Sequence, residues 1–82
     1  MQFTDHDREY STIRASDLSR GGLALQLVAV REQKLVAEVF YSDTTSEFTI
    51  SVFERDLPLT VIEHLVGAAR IALLPGAKIH GI

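Results

Sequence analysis

The sequence predicts an α+β domain: an antiparallel meander sheet of three to four strands, with one C-terminal helix packed on one face. Two observations carry this. Three runs between Leu23 and Glu54 alternate in polarity with a period of two, as half-buried strands do. After Pro58 the apolar residues recur at three- and four-residue steps, the spacing of one helix face. Strands first and a helix last place sequential strands side by side, with the helix laid over the sheet.

The elements follow in order. Residues 1–9 are polar and charged, with only Phe3 as an anchor, and read as a flexible N-terminus. Tyr10 to Ala15 mixes Tyr, Thr and Ile and reads as an edge strand. Ser16 to Gly22 is turn chemistry, since Asp17 and Ser19 can bond nearby backbone and Gly21-Gly22 permits positive φ. Leu23 to Val30, Leu35 to Tyr41 and Glu47 to Glu54 are the three alternating strands. Pro58 suits a first helical turn, and Leu59, Ile62, Leu65, Val66, Ala69 and Leu73 form the apolar stripe. Thr60, Glu63, His64, Gly67 and Arg70 mark the wet side, and Pro75-Gly76 ends the helix. Residues 10–76 thus form the domain, and residues 77–82 a tail in which Lys78 to Ile82 is a candidate pairing strand.

The register follows from polarity. With Arg31-Glu32-Gln33 as a hairpin loop, Leu25 opposes Val39, Leu27 opposes Ala37 and Ala29 opposes Leu35. With Thr44-Thr45 as the next loop, Tyr41 opposes Phe48, Val39 opposes Ile50 and Ala37 opposes Val52. Thr-Thr is poor type I′ chemistry, but a longer loop of the same parity keeps the same pairing. Leu23, Leu25, Leu27, Leu35, Val39, Tyr41, Phe48, Ile50 and Val52 then share one face for the helix. The opposite face carries Val28, Val36, Phe40 and Phe53, with Gln26, Glu38 and Ser51 in a row across three strands. One helix cannot cover both faces. Val28, Val36, Glu38, Phe40 and Phe53 are therefore the candidate partner surface. The alternative is that apolar residues on strands satisfy β propensity alone, with Glu38 wetting the face.

Bulk properties narrow the classes. Eighty-two residues make one domain, and 46% hydrophobic with 23% charged residues is ordinary for a folded one. The net charge is −3, and Arg8, Arg14, Arg20, Arg31, Arg55 and Arg70 are scattered, so no basic patch awaits nucleic acid. The chain has no cysteine, which excludes disulfides and thiolate metal sites. No signal-peptide pattern opens the chain and no apolar run is long enough to span a bilayer, so the expected location is cytoplasmic.

No motif implies a chemistry, so no catalytic, cofactor-binding or metal residue is assigned. Asp5-His6-Asp7, His64 and His80 are ligand types scattered over different elements. His64 has Thr60 and Gly67 as helical neighbours, and neither would activate it as a base. Gly21-Gly22 leads into a strand rather than a helix, so it cannot cradle phosphate as a P-loop does. Gly67 could admit another backbone against the helix or be a neutral surface position. The expected function is a non-enzymatic protein-interaction module, either a homodimer or a binder of inhibitor, immunity or antitoxin type. Its size and organisation are similar to those of small stand-alone bacterial or phage proteins. The alternative is a small-molecule-binding domain with a pocket between sheet and helix, where Tyr10 and Tyr41 could supply hydroxyls.

Overall fold

Four tight turns fold the chain into a meander, and each contains at least one residue with positive φ. They are His6 and Asp7 (51° and 64°), Gly21 (71°), Gln33 (51°) and Ser46 (61°). In the computed structural model, which describes residues 1–73, these turns join five strands. The strands are β1 (Gln2–Asp5), β2 (Arg8–Asp17), β3 (Gly22–Ala29), β4 (Lys34–Ser42) and β5 (Phe48–Val52). All pair antiparallel with their sequence neighbours, in the order β1-β2-β3-β4-β5. Helix α1 (Leu59–Ala72) follows and packs over β3 and β4. The stop at Pro75-Gly76 and the tail strand lie outside the described residues.

The class is the expected one, but the sheet is wider than three or four strands. Residues 2–5 pair with β2 through Gln2–Ser11, Phe3–Tyr10, Thr4–Glu9 and Asp5–Arg8. His6-Asp7 is thus a two-residue loop with both residues left-handed, the backbone of a type I′ turn. This makes β2 an interior strand of ten residues rather than an edge strand of six. Tyr10 is buried among the core residues as a result.

Two other turns share one solution. Gly21 N donates to Asp17 O at 2.9 Å, and Ser46 N donates to Ser42 O at 2.9 Å. Each closes a four-residue loop whose last residue is left-handed. The second loop replaces the Thr44-Thr45 turn but keeps its parity, so Tyr41–Phe48, Val39–Ile50 and Ala37–Val52 pair as expected.

The first hairpin departs from expectation at one point. Leu25–Val39 and Leu27–Ala37 pair as predicted, but Val28 then pairs with Leu35 and Ala29 with Lys34. Val36 is the extra residue of a β-bulge, and past it every side chain of β4 changes face. Leu35, expected in the core, is 39% exposed, while Val36, expected on the far face, is 0% exposed and packs in the core. The Val36 carbonyl accepts from Phe53 N at 2.8 Å and Glu54 N at 3.3 Å, which ties the bulge to the segment leading into the helix.

The helix contributes Val61, Leu65 and Ala69 to the core, extended by Leu57 before it and Leu73 after it. Val61 takes the place expected for Leu59, which is exposed, so the buried stripe is rotated by about half a turn at its start. Leu25, Leu27, Ala29, Ala37, Val39 and Tyr41 supply the sheet side. Nothing lies within 4 Å of a Cβ built on Gly67, so no backbone uses the space it leaves among the described residues.

Candidate functional site

The far face of the sheet is built as the alternation requires, and Gln26, Glu38 and Ser51 do align across β3, β4 and β5. It is not open at its centre, however. Glu38 and Phe40 are each only 8% exposed, because the β2–β3 turn folds Arg20 back over them. Arg20 Nη2 donates to Glu38 Oε1 at 3.0 Å, and its guanidinium carbon sits 4.2 Å from the centroid of the Phe40 ring. The same side chain donates through Nε to Asp17 Oδ2 at 2.6 Å. Asp17 Oδ1 also accepts from Ser19 Oγ at 2.8 Å and from Arg20 N at 3.1 Å. The bond from Arg20, reinforced by Ser19, holds the Asp17 carboxyl at about 2. Asp17 and Glu38 together push the Arg20 guanidinium further up from its ordinary value.

Gly22 completes this cover. A Cβ there would meet the Tyr41 carbonyl and come within 2.7 Å of the Phe40 ring, so only glycine fits at this position. Of the five candidate surface residues, Val36 is in the core, and Glu38 and Phe40 lie beneath Arg20. Val28 is half-buried and Phe53 is exposed. The structure therefore does not bring the five together as one open patch. Arg20 was legible as a turn residue, but nothing in the pattern aims a turn side chain across two strands.

A second polar cluster lies beside the bulge. Arg8 Nη1 and Nη2 donate to Glu54 Oε2 and Oε1 at 2.5 and 2.9 Å, a two-pronged pair, and Arg8 Nε donates to Glu32 at 3.2 Å. Lys34 Nζ lies 3.4 Å from Glu54 Oε1, and Arg8 also donates to the Tyr10 hydroxyl at 3.5 Å. Arg8 keeps the Glu54 carboxyl at about 2 despite partial burial. The cluster is charge-paired and ties β2, the β3–β4 turn and the approach to the helix together.

The metal-type residues are engaged separately. Asp5 accepts from Thr60 Oγ1 at 2.5 Å and from His6 Nδ1, and the Thr60 bond leads in lowering its carboxyl below the ordinary range. His64 stacks on Phe3 with centroids 4.6 Å apart, and Phe3 stacks in turn on Tyr10 at 5.3 Å. Among the described residues no group of three or more His, Asp and Glu converges as a metal site, and no helix is long and apolar enough to cross a membrane. His80 lies outside the described residues.

A contiguous part of the exposed apolar surface lies instead along β5. Among the described residues this strand ends the sheet, and Ile50 and Val52 are 45% and 44% exposed although they face the helix side. Between β5 and α1 runs an open groove lined by Val39, Phe48, Ile50, Val66 and Arg70. Phe53 continues the strip on the far side. The sequence placed Phe48, Ile50 and Val52 on the core face correctly. It could not show that β5, among the described residues, pairs on one side only.

Compared with known proteins, the chain matches no family model, no curated protein and no solved structure.

Proposed function

We propose that the chain is a non-enzymatic protein-interaction module whose working surface is the β5 edge and its flank. The observation that carries this reading is the half-exposure of Ile50 and Val52 on one edge strand, together with the exposure of Phe53 directly after it. An uncharged edge strand with open backbone groups is a template for another strand, and apolar side chains beside it supply area for a partner. The surface expected around Glu38 and Phe40 has a lesser part, because Arg20 already occupies it.

A pocket for a small molecule is the second reading, favoured only by the groove between β5 and α1. Its walls are apolar apart from Thr49 and Arg70, and Tyr10 and Tyr41 do not line it.

Chemical crosslinking in extract of the source cells tests the first reading. Wild type is compared with Val52→Lys and Phe53→Glu variants of unchanged thermal stability. Crosslinks to a protein, whether a copy of this chain or another, that disappear in the variants support it. Unchanged crosslinks in both variants overturn it, as does stabilisation of wild type by a metabolite in a thermal-shift screen with no crosslinks at all.

A further inference from the structure

The partner chemistry can be read from the backbone of β5 and the order of its side chains. In the β4–β5 ladder, Ser42 N donates to Glu47 O at 3.0 Å and Phe53 N donates to Val36 O at 2.8 Å. Bonded pairs alternate along an antiparallel ladder, so Thr49 and Ser51 turn their backbone groups toward β4. Phe48, Ile50 and Val52 therefore turn their N–H and C=O groups outward, away from the sheet. The same residues carry the strand's apolar side chains.

The segment Phe48-Thr49-Ile50-Ser51-Val52 reads the same in polarity from either end, centred on Ile50. We propose that β5 pairs antiparallel with β5 of a second copy about a two-fold axis at Ile50, joining the two sheets edge to edge. This rests on the interaction-module reading and names its partner.

The register follows without adjustment. Ile50 faces Ile50 of the second copy, and Phe48 faces its Val52. These are the residues with outward backbone groups, so each pair exchanges both N–H···O=C bonds. On the other face Thr49 meets Ser51, a favourable cross-strand combination. Beyond the strand, the same register sets Glu47 against Phe53 and Glu54 against Ser46, so no like charges face each other. On the helix side, each groove of Phe48, Ile50 and Val66 is extended by apolar side chains of the other copy.

A second copy is favoured over an unrelated strand because the pattern is self-complementary. An isologous interface requires one patch to match itself under a two-fold rotation. Edge protection points the same way. β5 has no charge, no proline and no bulge along its length, whereas β1 at the other edge ends in Asp5-His6-Asp7. A short strand pair with two flanking grooves belongs to the small interface class, so a dissociable dimer is expected.

Light scattering and sedimentation over about 1 µM to 1 mM, with amide exchange, test this. The expected result is a mass rising to twice that of the chain. The Phe48, Ile50 and Val52 amides then slow roughly tenfold or more as the dimer fills. Ile50→Pro removes an outward N–H and an exposed side chain but no β4–β5 ladder bond, so it should keep the monomer fold and abolish the dimer. A Thr49→Cys copy mixed with a Ser51→Cys copy should form the mixed disulfide in preference to either homodimer, because these positions face each other as a closely spaced pair. A mass that stays that of one chain up to about 1 mM overturns the proposal, as does a dimer that persists in a folded Ile50→Pro variant. Protein crosslinks that Val52→Lys removes would in that case still support an interaction module with a different partner.

Discussion

Arg20 lies over the Phe40 ring at 4.2 Å and donates to Glu38 at 3.0 Å, so one turn side chain closes the middle of the sheet's far face. Removing it exposes an aromatic ring and leaves a mostly buried carboxylate without its cation. Arg20→Ala should therefore lower the urea unfolding midpoint. In a double-mutant cycle with Glu38→Gln, the double variant should lose less than the sum of the singles. Additive losses would show that the contact with Glu38 contributes nothing.

The bulge at Val36 makes neighbouring residues opposite in kind. Val36→Thr places a hydroxyl in the core and should cost about 1–3 kcal/mol. Leu35→Thr changes an outward side chain and should stay within about 0.5 kcal/mol of wild type. Equal losses would mean that the strand runs without a bulge.

Glu54 links stability to acid pH. Arg8 lowers its carboxyl from the ordinary 4.5 to about 2. Between those values the unfolded chain takes up a proton that the folded chain refuses, so stability is full above the upper value and falls as pH drops through the lower. Glu54→Gln should be less stable than wild type at about pH 6 and should lose less on going to about pH 3. Urea midpoints at the two pH values measure both. Asp17, held at about 2 by Arg20, contributes a drop of the same sign in both proteins.

Gly67 occupies the middle of α1 with nothing within 4 Å of the space its side chain would fill. Gly67→Ala should raise stability by about 0.5–1 kcal/mol, read as a higher thermal midpoint. A loss would indicate that some partner approaches the helix at this point.

Alternation alone determined the sheet's central pairing. Leu25–Val39 and Val39–Ile50 follow from polarity, because a one-residue slip would move every apolar side chain to the wrong face. The change of period after Pro58 likewise located the helix, though a half-turn at its start decided between Leu59 and Val61. The β1–β2 hairpin stayed hidden because its left-handed residues are His6 and Asp7 rather than the Asn-Gly that usually signals a type I′ turn. Without that hairpin, β2 reads as a six-residue edge strand rather than an interior strand of ten.

Three features were decided only in three dimensions. A bulge adds one residue to one strand and leaves no mark in the polarity of Leu35-Val36, since both are apolar. The closure of the far face depends on where a turn aims the long side chain of Arg20, which strand periodicity does not describe. The exposure of β5 depends on which strand ends the sheet among the described residues, a matter of topology. Phe48, Ile50 and Val52 were therefore legible as strand residues, but their exposure follows from the strand order.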